Sequence, residues 1–278
     1  GVPQASKVKN PGGTTLVTNA GSNGKFLGFM QLDVRNGKVQ DFRYRLLPVF
    51  SNLLEADKEM SDYITEVRKP YIGKLTEELA VADPDGGELY RRGNFNGTFD
   101  QVICDALNKV NDSQISLSPG FRWGTTVLPG QAITLDHVMD QTCITYPETY
   151  VRDMDGQTIK NILEDVADNL FNADPYKQQG GDMVRVGGMD YTIDINAKIG
   201  NRIKDMRLDD GTAIDLSKNY RVSGWAQVGS QAPGEPIWET VTDYLRDQKV
   251  VKINKLNTPK IVGAKGNPGI ADYAGELG

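Results

Sequence analysis

A single histidine, His137, and two cysteines, Cys104 and Cys143, are all the imidazole and thiol that the 278-residue sequence contains. Transition-metal hydrolase centres usually recruit several imidazoles. One histidine therefore excludes a complete site of that kind built from this chain, and any metal chemistry has to come from outside it. His137 stands in ITLDHVMD, an amphipathic helical pattern, and reads as structural. The cysteines lie in QVICDAL and QTCITYP without CxxC spacing. Buried free thiols are the first reading, with a single disulfide left open. No apolar run approaches the roughly 18 residues of a bilayer span. The start, GVPQASKVKNPGG, lacks the apolar core of a secretion signal, so an exported protein would carry its signal on a longer precursor. Positive charge is also short: 31 Lys and Arg face 37 Asp and Glu, a net −6. That balance argues against nucleic acid or an anionic membrane as a partner.

What is present is an ordinary globular composition, 38% hydrophobic and 24% charged. The length suits one large domain, or one domain with part of another. Residues 14–20, 25–34 and 38–49 read as strands, the last two joined by Asn36-Gly37, a strong type I′ hairpin signal. Three strands with no helix to pack on them do not make a domain. They read as the last strands of a larger sheet, presenting an apolar face of Leu16, Val17, Phe26, Leu27, Phe29 and Leu32. Residues 54–69 form a polar helical segment ended by Pro70, suited to a linker.

Beyond it strands and helices alternate. Residues 72–82 are strand-like, 84–97 a Gly-rich loop, and 98–110 a helix with Phe99, Val102, Ile103, Ala106 and Leu107 on one face. A short strand at 115–117, a helix at 133–141 and a strand at 149–154 follow. Asp155-Gly156 opens the clearest amphipathic helix, 157–171, with Ile159, Ile162, Leu163, Val166 and Leu170 at helical spacing. Strand pieces MVRVGG, MDYTIDI, RIKDMRL and YRVSGWAQV precede a helix at 236–247 and a Pro/Gly-rich tail. The pattern is a mixed α/β (α+β) domain of about 200 residues, an ordinary size. The expected organisation is strands over 1–52, a linker helix over 53–70 and a substrate domain over 71–278.

Two arginine loops carry the candidate chemistry. The strand at 115–117 breaks at Ser118-Pro119-Gly120 and delivers Phe121, Arg122 and Trp123 into a turn closed by Gly124. A snorkelling surface arginine is the plain reading. A guanidinium on a glycine-bracketed loop, its swing limited by two rings, is the sharper one. Arg91 and Arg92 in YRRGNFNG read equally as a solvated pair or as a second cation for the same site. GSNGKFLG fits neither a phosphate loop nor a dinucleotide fingerprint.

The order of RRGNFNGTFDQVICDAL, LSPGFRWGTTVLPGQAIT, DQTCITYPETYVR, ILEDVADNLFN and QQGGDMVRVGGMDYTID resembles the C-terminal domain of the 5′-nucleotidase family. The wording is closest to the thiosulfohydrolases of the periplasmic sulfur-oxidation (Sox) pathway, a branch of the metallophosphoesterase superfamily. In that family a G-H-T-H metal-ligand motif precedes a segment like GVPQ…TLVTNAGSNGKFLG. The resemblance implies that two manganese ions belong to an N-terminal metallophosphatase domain upstream, that residues 1–52 are its last strands, and that this chain alone is inactive. Implied partners are that domain and a sulfur-carrier protein whose C-terminal arm bears a cysteine. The implied reaction hydrolyses a cysteine S-thiosulfonate and releases sulfate. A 5′-nucleotidase or nucleotide-sugar hydrolase is the rival enzyme reading, and a non-catalytic carrier-binding module is a third.

The resemblance also carries site residues. Arg122 matches the family's substrate-binding arginine, with Trp123 beside it and Arg91 or Arg92 as a second cation. An oxyanion favours arginine, whose fork donates two parallel charge-assisted hydrogen bonds. Nucleotidases clamp the base between two rings. Here Tyr146 in CITYP and Trp225 in RVSGWAQVG are the nearest rings, and GSQAPGEP replaces the usual Gly-rich turn. Both departures count against a base clamp.

Overall fold

A computed structural model describes residues 5–91, 93–227 and 232–265. The chain divides into two compact units, Gly1–Pro70 and Tyr71–Gly278.

The first unit holds two antiparallel hairpins, β1 (Ala5–Asn10) with β2 (Gly13–Thr18), and β3 (Phe26–Arg35) with β4 (Lys38–Pro48). The sequence reading missed β1, whose ASKVKN is too polar to stand out. The β3–β4 turn has positive φ at both central residues, 52° at Asn36 and 71° at Gly37. That is the type I′ geometry the dipeptide favours. None of the described side chains of this unit is buried. Its apolar residues do not share one face, as the sequence suggested. Leu32 pairs with Phe42 and Met30 with Tyr44, whereas Leu27 pairs with Leu47 and Phe29 with Arg45 one residue out of phase. Alternation puts these pairs on opposite faces. Helix α1 (Lys58–Arg68), capped by Asp57 accepting from the Met60 amide, leaves Met60, Ile64 and Val67 exposed. Hydrogen exchange on this chain should therefore be at least about tenfold faster in β3 and β4 than in the helix at 156–171. Equal protection would show that the hairpins carry a core of their own.

The second unit is built on a four-stranded mixed sheet, β8 (Thr149–Asp155), β12 (Asn219–Trp225), β6 (Ile115–Ser118) and β9 (Arg185–Gly187), in that order. Along β6 and β12 successive side chains serve opposite faces. Ile115, Leu117, Tyr220 and Val222 enter one core with Ile159, Leu163 and Ala167 of α5 (Gly156–Phe171). β10 (Met189–Asp194), β11 (Ile203–Leu208) and β14 (Lys260–Val262) complete that core. Trp225 enters a second core with α3 (Thr98–Val110), α6 (Ile237–Gln248) and the small sheet β13 (Val250–Val251), β5 (Glu78–Ala82) and β7 (Ala132–Thr134). The apolar residues named for α3 are all buried; of those named for α5, Ile159 and Leu163 are buried, while Ile162, Val166 and Leu170 are half-buried against the same core.

Three expectations are corrected. Ile72–Leu75 is one helical turn, α2, not strand: the Leu75 amide donates to the Tyr71 carbonyl, and β5 begins only at Glu78. Residues 132–134 pair with β5, so the next helix, α4 (Leu135–Thr142), starts later than its apolar pattern suggests. The C-terminal stretch contributes β13 and β14, which pair in parallel with β5 and β10.

Candidate functional site

Arg122 projects from the loop that leaves β6. Its Nε donates to Oδ2 of Asp182 at 3.0 Å, and its side chain is 41% exposed. The loop is shaped by its glycines. Gly124 sits at φ 87°, and a Cβ there would strike the Gln141 side chain, while one at Gly120 would strike the Met183 carbonyl.

Phe121 and Trp123 do not bracket Arg122. They stack on each other, centroids 3.9 Å apart, and lie over the guanidinium of Arg91 at 5.5 and 5.9 Å. Trp225 adds a third ring at 5.9 Å from Arg91 and meets Phe121 edge-on. The sequence reading of the rings as guides for Arg122 is thus corrected. With the two rings engaged on Arg91, Arg122 between them reaches Asp182 instead.

Arg91 is not a substrate-facing cation either. Its side chain is wholly buried, and it donates to Asp100 Oδ1 at 2.7 Å, to the Gln141 carbonyl at 2.6 Å and to the Pro119 carbonyl at 3.0 Å. Gln141 lies in the last turn of α4, where helix carbonyls carry partial negative charge. Burial pulls the Arg91 pKa down from its ordinary value, and Asp100 opposes that. Arg92 lies outside the described residues. Trp225 is 3% exposed, with Nε1 donating to Ser118 Oγ at 2.8 Å, and Tyr146 is 45% exposed and takes no part in this cluster. The part of GSQAPGEP before Ala232 is likewise outside the described residues.

Behind Arg122 lies a buried chain of charges that the sequence did not reveal. Asp182 Oδ1 is 3.6 Å from Arg185 Nη2, Arg185 Nε is 3.3 Å from Asp100 Oδ2, and Asp100 closes on Arg91. Asp100 stands as a charge between Phe99 and Val102 on an apolar helix, but one of its two partners, Arg185, lies far along the chain. Burial pushes the Asp182 carboxyl above its usual range, against the pull of Arg185 and Arg122. Beside this network a cleft of about 310 Å³ is lined by Ser118, Pro119, Gly120, Asp182, Tyr150 and Trp225, with Ile162 and Val166 of α5.

Among the described residues no three His, Cys, Asp or Glu side chains gather to hold an ion. His137 is spent on a capping box, its Nδ1 accepting from the Thr134 amide at 3.1 Å. Both cysteines are free. Cys104 is buried and its thiol pKa pushed up, but Cys143 is exposed, unlike the sequence expectation.

The family model for the 5′-nucleotidase C-terminal domain matches residues 72–233. This chain belongs to that family. A structure of the sulfate thiohydrolase SoxB from Thermus thermophilus is 33% identical, with a TM-score of 0.85 over 94% of this chain and 48% of that one. A 5′-nucleotidase precursor, also from Thermus thermophilus, shares the fold at 20% identity and a TM-score of 0.76, over 92% of this chain and 54% of that one. The trifunctional nucleotide phosphoesterase protein YfkN of Bacillus subtilis (strain 168) is 25% identical over 273 residues, 90% of this chain and 18% of its own length. The chain thus spans about half of the two solved structures and a fifth or less of the curated relative. As a 5′-nucleotidase C-terminal domain, its second unit has the mixed α/β fold the sequence implied, and its relatives are hydrolases.

Proposed function

We propose that this chain is the substrate-binding portion of a periplasmic thiosulfohydrolase that releases sulfate from a cysteine S-thiosulfonate on a sulfur-carrier protein. The two manganese ions of that reaction would be held by residues of a metallophosphatase domain outside this chain, to which residues 1–52 would contribute the final strands. Arg122 carries the reading. It is the half-exposed cation of its loop, and its bond to Asp182 runs through Nε rather than the end of the fork. A sulfonate offers three oxygens to such a fork, and a preorganised cation stabilises charge growing on them during hydrolysis. In the reaction, water oxygen bonds to the sulfonate sulfur while the carrier's terminal sulfur leaves with the bonding electron pair. The 33% identity to SoxB supports this substrate. So does the use of Phe121, Trp123 and Trp225 around Arg91, which leaves these rings unsuited to clamp a base.

The likeness to the nucleotide phosphoesterase YfkN favours a second reading, nucleotide hydrolysis. The complete enzyme, incubated with a thiosulfonate peptide and separately with AMP, separates them. Sulfate from the peptide without phosphate from AMP is expected. Phosphate without sulfate would install the nucleotidase, and carrier binding with no turnover of either would leave a binding module.

A further inference from the structure

Asp182 holds Arg122 by its side rather than its end. The bond runs from Nε to Oδ2 at 3.0 Å, so Nη1 and Nη2 are left to meet two oxygens of one anion. A carboxylate facing the end of the fork would instead have occupied the edge a substrate needs. Gly181 makes room for this pose: a Cβ there would stand 3.2 Å from Arg122 Nη2.

Asp182 is itself held from behind. The Asn94 side chain donates to the Gly181 carbonyl at 2.6 Å, and the Met183 amide donates to the Asn94 carbonyl at 2.7 Å. Arg185 anchors the same strap, donating to the carbonyls of Met183 at 3.0 Å and Gly93 at 2.9 Å. The inner groups Arg91, Asp100, Arg185 and Asp182 sum to zero charge, so the unit of positive charge left over sits at the exposed end, on Arg122. An isolated surface arginine has several rotamers, and ordering it for an anion costs conformational entropy. A carboxylate fixed in a buried network removes that cost before substrate arrives.

We infer that Asp182 is a positioning residue, aiming the Arg122 fork at the substrate anion from a strap anchored by Arg185 and Asn94. This rests on the reading of Arg122 as the anion-binding group. The test is a double-mutant cycle in the complete enzyme, measuring kcat and KM for sulfate release from the thiosulfonate peptide. Asp182→Asn should lower kcat roughly tenfold or more in the wild-type background, the scale of a small misplacement at a reacting centre. In the Arg122→Ala background the same change should alter kcat by less than about twofold, because nothing is left to aim. An equal loss in both backgrounds, or no loss in the first, overturns the inference, since a merely structural carboxylate acts regardless of Arg122. Normal kcat in Arg122→Ala alone is a different failure: it removes the anion-binding role itself. If wild-type enzyme releases no sulfate, the substrate reading has failed, and the cycle is read on phosphate from AMP. Where Asp182→Asn does not fold, Asp182→Glu takes its place with the same criterion. If that also fails to fold, Asp182 belongs to the core and the positioning role is overturned.

Discussion

Replacing Arg122 by alanine in the complete enzyme is expected to lower kcat roughly 100-fold, the usual effect of deleting one charge-stabilising donor. Arg122→Lys should lose somewhat less, because it keeps the charge and gives up the two-pronged geometry. The loss should fall on kcat rather than only on KM, since the contact strengthens as charge builds on the sulfonate oxygens. Stability should hardly change. The Arg122–Asp182 pair stands at the surface, with the arginine side chain 41% exposed. Such pairs contribute about 0–1 kcal/mol. Kinetics and melting temperature on the two variants decide between a site and a solvated turn. Normal turnover in the alanine variant would return Arg122 to the surface.

Arg91→Met should do the opposite, unfolding the second unit before it reports on chemistry. Arg91 and Asp100 have no exposed side-chain surface at all. Taking one partner out of such a pair costs about 3–5 kcal/mol, here because Asp100 keeps Arg185 alone, at 3.3 Å, and loses the hydrogen bond from Arg91. For a domain of this size that is a fall in Tm on the order of 10 °C. The loop would suffer as well, because Arg91 ties the Pro119 carbonyl at its start to the Gln141 carbonyl of α4. Adding Asp100→Leu should bring no recovery, since Asp100 also faces Arg185, which would then keep only the more distant Asp182, at 3.6 Å. Differential scanning calorimetry of the single and double variants checks both claims. A loss under about 1 kcal/mol in Arg91→Met would show that burial at this pair is much less complete.

The sequence offered Arg122 as the leading cation and Arg91 or Arg92 as a second one for the same site, and nothing local marked Arg91 as buried. Arg91 is internal because Asp100, the third residue of α3, is fully buried and needs a counter-charge. Arg122 is external because Phe121 and Trp123 turn to the Arg91 side, leaving the residue between them to the other. Trp225 was read as a site ring, yet its indole is fixed to Ser118 inside the protein.

By itself the sequence determined the periodic elements and the exclusions. Ile159 and Leu163 recur at helical spacing and are buried, and Asn36-Gly37 makes its turn, because these preferences act over a few residues. The single histidine is committed to the cap of α4, a bond spanning three residues. Short pieces such as β7 and β14 became strands only through partners supplied by β5 and β10. Tertiary structure alone decided which arginine is buried and what holds the other. The Arg122–Asp182 bond joins residues 60 positions apart, and Arg91 reaches Gln141 across 50. A buried charge takes whichever opposite charge or carbonyl the packed chain brings within reach, and that choice is made by the fold as a whole.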